Sequence, residues 1–112
     1  MIGGVIEAMS ESAAMISTHG GDPAPFLDML RQTILATQIY QTYGAAIASG
    51  KAPGALSALK LPLKDLDLTR KKGRTAVPLI PLADLLCDQL NTARGVGMMD
   101  VDWSVGLAMV AR

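Results

Sequence analysis

Few residues of this chain have side chains suited to chemistry, and they are scattered. Lys64 and Asp65 stand side by side in Leu61-Pro62-Leu63-Lys64-Asp65-Leu66-Asp67-Leu68, a cation and a carboxylate inside an otherwise apolar segment. Such a pair is either the solvated edge of a helix or the lining of a cleft. In a cleft the ammonium meets an anionic group and the carboxylate holds local geometry. Arg70-Lys71-Lys72 follows at the expected end of the same helix, where cations favour the negative pole of the dipole. No aromatic residue interleaves with these charges, which argues against a nucleic-acid site. Cys87 is the one cysteine, so an internal disulfide and a multi-cysteine zinc site are excluded, and it reads as a small buried core residue. His19, the one histidine, adds little metal-binding capacity. Asp100 and Asp102 could share a metal but read as turn and cap residues, so no metal site is assigned. No Ser/His/Asp arrangement occupies a recognisable turn, and Cys87 and His19 are expected far apart, so an independent small-molecule enzyme has little support.

The elements that must position Lys64 and Asp65 are helical throughout. At 112 residues the chain is read as one domain, 1–112, able to bury a core without staples. Half its residues are hydrophobic, 18% are charged and only 4% aromatic, which implies an aliphatic core and apolar surface left for a partner. The formal net charge of zero gives no electrostatic case for nucleic acid or an anionic membrane. No run is long enough to span a bilayer and no basic-then-apolar leader opens the sequence, so a cytoplasmic location is expected.

Residues 2–18 form a first helix, with Ile2, Val5, Ile6, Met9, Ala13 and Ile16 on one stripe and Glu7, Ser10, Glu11 and Ser17 largely off it. Gly3-Gly4 permits close approach of another backbone or marks a frayed start. His19-Gly20-Gly21 ends this helix and Asp22-Pro23 starts the next, which carries Phe26, Leu27, Leu30, Ile34 and Leu35. A third helix covers 38–48, and the loop from Ser49 to Gly54 leads to the Lys-Asp helix. Pro62 fits its first turn, which puts Asp65 in or just after that turn, and Gly73 is its expected stop. Asp65 is therefore expected to accept backbone N–H bonds and to matter more for stability than Lys64. A long helix from Val77-Pro78 to Arg94 is apolar enough to have several neighbours, and Gly95-Val96-Gly97 closes it. Asp102 caps a last apolar segment, 105–110. No segment alternates with period two, so no strand is assigned.

Three stretches in this order resemble one family. They are the helix with Glu7-Ala8 ending in Gly21-Asp22-Pro23, then Lys64-Asp65-Leu66 near a helix start. Last is Val77-Pro78-Leu79 opening a long helix, closed by a glycine-rich turn and Asp102-Trp103-Ser104. Together they look like the C-terminal domain of the β-hydroxyacid dehydrogenases, which include 3-hydroxyisobutyrate dehydrogenase and relate to 6-phosphogluconate dehydrogenase. The resemblance implies an all-α, multi-helix bundle that follows an N-terminal Rossmann domain. Substrate and NAD or NADP meet in the cleft between the two. On that resemblance Lys64 faces both cofactor and substrate, and Asp65 faces substrate. Ser57 stands where the family usually has an aromatic residue, a departure that bears on substrate preference.

A second departure is larger. No Gly-x-Gly-x-x-Gly turn follows a strand here, so the dinucleotide phosphates have no cradle. The family's catalytic lysine belongs just upstream of the first helix, so no catalytic residue is assigned in this chain. The expected function is thus the substrate-binding and oligomerisation domain of an NAD(P)-dependent dehydrogenase. It could be a fragment, a truncated paralogue or one half of a split protein. It should be inactive alone, hold no cofactor alone, and assemble as a homodimer or larger, with a Rossmann-type domain as its other partner. The alternative is a stand-alone helical interaction module with no dehydrogenase role. The small-residue face Gly3, Gly4, Ala8, Ala13 and Ala14 is the expected oligomer contact.

Overall fold

The computed structural model describes residues 1–33, 35–52, 58–76 and 80–111. Among them the chain forms six helices: α1 (Ile2–Thr18), α2 (Ala24–Gln32), α3 (Gln38–Ser49), α4 (Lys60–Ala76), α5 (Pro81–Gly95) and α6 (Trp103–Val110). No described segment is a strand; an isolated antiparallel bridge joins Ala58 to Asp102. No described helix is long and apolar enough to cross a membrane.

Helices α1 and α6 lie at the centre. α1 packs against α2, α3, α5 and α6, and α6 against α1, α3 and α5. Their shared core is aliphatic, as the composition requires: Ile6, Met9, Leu27, Ile47, Leu59, Leu63, Leu90 and Leu107 are buried together. The shortage of aromatic rings leaves one ring pair near the core, Tyr43 edge-on to Trp103 with centroids 6.1 Å apart. Asp102 caps α6 as expected: its carboxylate accepts the Ser104 amide at 3.0 Å.

Several sequence expectations change. Glu7 and Ser10 are buried, not off the apolar stripe, because α1 is enclosed on more sides than one stripe can serve. The Gly3-Gly4 pair admits side chains and not a backbone. A Cβ on Gly3 would stand 3.1 Å from Trp103 and 3.2 Å from Leu86, and one on Gly4 3.3 Å from Leu82. Helix α2 stops at Gln32, so Leu35 lies outside it, and Ile34 lies outside the described residues.

Helix α4 runs through Gly73 to Ala76. Gly73 is no stop; its bare Cα lets Ile80 approach, with a Cβ there only 3.2 Å from the isoleucine tip. Arg70, Lys71 and Lys72 therefore precede the last turn. The long helix starts at Pro81, in the first-turn position where a missing N–H costs nothing, with Ile80 in a non-helical conformation before it. Val77, Pro78 and Leu79, where its start was expected, lie outside the described residues. Its other end is as expected: Gly97 takes a left-handed φ of 87°, and the Met98 amide bonds back to Ala93 O at 3.1 Å.

Candidate functional site

Helix α4 begins at Lys60, two residues before Pro62, because Ala58 and Leu59 are tied down first. Leu59 N donates to Val101 O at 2.8 Å and Lys60 N to Met99 O at 3.2 Å. The carbonyls of Ala58 and Leu59 then accept the Leu61 and Leu63 amides at 2.9 and 3.1 Å, so Pro62 falls within the first turn. Leu59 and Leu63 point into the core and Leu66 packs against it, while Leu61 and Leu68 are 56% and 52% exposed. The buried line of this helix is thus Leu59, Leu63 and Leu66, not one through Leu61 and Leu68.

That rotation sends Lys64 and Asp65 in different directions. Both are exposed, and consecutive helical residues diverge by about 100°. Lys64 lines a groove of about 400 Å³ with Lys60, Leu63, Asp67, Leu68 and Lys71. Asp65 lines a separate groove of about 350 Å³ with Met1, Ile2, Gly3, Pro62, Leu66, Leu86 and Trp103. The structure therefore keeps the two apart on either flank of α4. Asp65 lies in the second turn, beyond the free amides of the helix start. Among the described residues its carboxylate takes no backbone N–H bond; its main-chain carbonyl accepts from Thr69. The stability expectation for this pair changes accordingly. Lys64→Met and Asp65→Ala should each shift unfolding free energy by no more than about 0.5 kcal/mol, as for ordinary surface changes. Urea titration of both variants checks this, and a loss well above that value would mark either residue as structural.

In the first groove Lys60 is ion-paired with Asp100. Asp67 accepts a long hydrogen bond, 3.8 Å, from the Cys87 thiol on α5. Lys64 and Lys71 carry no ion pair among the described residues. Arg70, on the inner side of α4, holds α5 instead: its Nε lies 2.7 Å from Asp84. The basic cluster thus divides its labour, Arg70 joining two helices and Lys71 facing the groove. Cys87 is fully buried, and burial outweighs the neighbouring Arg70 in pushing its thiol above the ordinary range. A protonated, enclosed thiol suits packing and not nucleophilic attack. His19, by contrast, is exposed at the end of α1, with Nδ1 2.8 Å from Met15 O.

One turn along α1 from Gly3 of the second groove stands an unusual group that periodicity concealed. Glu7 is 3% exposed, and neither carboxylate oxygen has a hydrogen-bond partner. The Trp103 Nε1, in the neighbouring wall, is also buried without one. Burial first, and repulsion from Glu11 second, raise the Glu7 carboxyl above its ordinary pKa. Its sequence signal was the position one turn beyond Gly3-Gly4, where side chains of α5 and α6 pack against the glycines.

A nicotinamide dinucleotide does not fit the residues present. Gly95-Val96-Gly97 holds the closest glycine spacing to a phosphate-binding turn. It follows a helix and not a strand, and it sits at a helix C-terminus, where carbonyls gather and repel phosphate. Ser57 lies outside the described residues.

No family model matches the sequence, and no curated protein matches it. Among solved structures the fold matches 3-hydroxyisobutyrate dehydrogenase from Salmonella typhimurium. The TM-score is 0.81 at 19% identity, over 96% of this chain and 38% of that one. The match is to the helical C-terminal domain of that protein, so the chain has the all-α fold that its motifs implied.

Proposed function

We propose that this chain is the substrate-side and oligomerisation domain of an NAD(P)-dependent β-hydroxyacid dehydrogenase, a cytoplasmic protein acting with a Rossmann-type cofactor domain. The observation that supports the reading most is the fold match across 96% of the chain, with Lys64 exposed in a groove rather than consumed by packing. In this reading Lys64 holds an anionic group of substrate or cofactor. Asp65, on the other flank, shapes the separate groove beside the start of α1 and meets substrate only where a ligand reaches that groove. The cofactor would supply the hydride acceptor or donor from its own domain, and no catalytic step is assigned to residues of this chain.

The test is a chimera in which this chain replaces the helical domain of a 3-hydroxyisobutyrate dehydrogenase. NAD(P)-dependent turnover of a panel of 3-hydroxyacids is expected from the chimera and not from the chain alone. Lys64→Met should lower kcat/KM at least about tenfold, the worth of one charge-assisted contact. A folded chimera with no turnover on any substrate would favour the alternative, a stand-alone helical interaction module.

Self-association is part of the same proposal. Gly3, Ala13 and Ala14 are buried within the chain, so little of the small-residue face is free for a partner. Leu61, Leu68, Leu82 and Leu85 remain exposed on α4 and α5, and they supply the apolar surface that the composition called for. Sedimentation equilibrium should show a dimer or larger species at high micromolar concentration, and a clean monomer there would remove this part of the reading.

A further inference from the structure

We propose that the groove along α4 takes a small ligand with two anionic groups joined by an apolar spacer, Lys64 binding one end and Lys71 the other. The inference rests on the reading of Lys64 as an anion contact and adds a second one. Lys60, Lys64, Asp67, Leu68 and Lys71 follow one another at helical spacing along one face and line one concavity. The charges in it are not equivalent. Lys60 is ion-paired with Asp100, and Asp67 accepts only a 3.8 Å hydrogen bond from the Cys87 thiol, a neutral donor, while Lys64 and Lys71 have no ion-pair partner among the described residues, so two ammonium groups face one carboxylate.

These two lysines are seven residues apart, two helical turns, or about 10 Å along the axis before their flexible arms lean inward. One carboxylate cannot satisfy both at full reach. Of the groove-lining residues between them, Asp67 turns towards the Cys87 thiol and Leu68 is 52% exposed; with Leu63 beside Lys64 it gives the groove an apolar strip that favours methylene carbons over water. A volume of about 400 Å³ is that of a small-molecule site. The chain's zero net charge and the absence of aromatic residues in the lining disfavour a nucleic acid. The geometry therefore selects length and charge together: a dianion with an aliphatic middle, a class that includes hydroxyacids carrying a second carboxylate.

The experiment uses the full chain and two probes, pimelate, a seven-carbon dicarboxylate, and heptanoate, the same chain with one carboxylate. Binding is followed at low salt by backbone amide chemical shifts. Pimelate should bind about tenfold more tightly than heptanoate, since it makes one more charge-assisted contact. Its shifts should centre on residues 60–71. Lys64→Met and Lys71→Met should each bring pimelate down to the level of heptanoate, while Lys51→Met, outside the groove, should not. Equal binding of the two probes, no binding of either, or a Lys71→Met variant that keeps the preference would overturn the proposal. So would heparin competing while Lys51→Met weakens binding as much as the groove variants, which would show undirected charge. An inactive chimera leaves these results standing. Conversely, an active chimera sensitive to Lys64→Met, with Lys71→Met without effect on pimelate, removes only the two-lysine groove.

Discussion

Replacing Glu7 by leucine should make the folded chain more stable at neutral pH, by about 1–3 kcal/mol, because a carboxylate buried without partners costs that much or more. Both oxygens of Glu7 are orphaned and the residue is almost fully enclosed. Helical side chains lean towards the N-terminus, which directs Glu7 towards the Gly3-Gly4 turn, and Trp103, Leu86 and Leu82 pack against those glycines. Leucine can occupy that space with apolar atoms alone. The sign of the pH effect follows from the raised pKa. A group that holds its proton more tightly when folded contributes stability that is complete below the unfolded value, about 4.3. That contribution disappears as pH rises through the folded value. The wild-type chain should therefore lose stability between pH 4 and its folded Glu7 pKa, relative to Glu7→Leu and to the uncharged, nearly isosteric Glu7→Gln. Urea titrations at pH 4.5 and pH 8 measure this. The advantage of the variants should shrink at the acid end, and variants less stable than wild type at pH 8 would show that Glu7 has partners after all.

Leu59→Ala should be the most damaging truncation near the groove, costing about 2–5 kcal/mol as for other fully buried leucines. Leu59 is 0% exposed and lies across the α6 backbone at Gly106, where an added Cβ would stand 2.8 Å from its Cδ1. Gly106→Ala should accordingly cost about 1–3 kcal/mol by overpacking. The two changes are not independent. Removing the leucine opens the space that the alanine methyl needs, so the double variant should cost less than the sum of the single ones, by at least about 0.5 kcal/mol. A double-mutant cycle from chemical denaturation reads the coupling, and strict additivity would show that Leu59 and Gly106 do not meet.

Much of the fold was legible in local chemistry. The ends of α1 and α3, the left-handed glycines at positions 20 and 97 and the Asp102 cap depend on a few neighbouring residues, and each was readable. What failed depends on distant contacts. Gly73 reads as a stop unless Ile80 is known to return over it, and Pro81 was passed over for Pro78. Glu7 reads as solvated unless four helices are known to surround α1. The candidate site was legible as residues and not as geometry. Lys64 was singled out, but the separation of its groove from that of Asp65 is set by which leucines of α4 turn inward.

The bridge between Ala58 and Asp102, with the bonds from Leu59 to Val101 and from Lys60 to Met99, also bears on the order in which the molecule forms. These contacts close a loop of about forty residues that contains both α4 and α5, and the entropy of closure has to be met before they reward it. The turn between α5 and α6 must exist before the Leu59 and Lys60 amides find their acceptors on Val101 and Met99. Helix α4, which packs on α5, is therefore expected to dock late on a nucleus made by the others. Damage to its attachment should appear as faster unfolding, with the folding rate nearly unchanged. The lysine-lined groove would then be the last surface completed on the way in and the first lost on the way out.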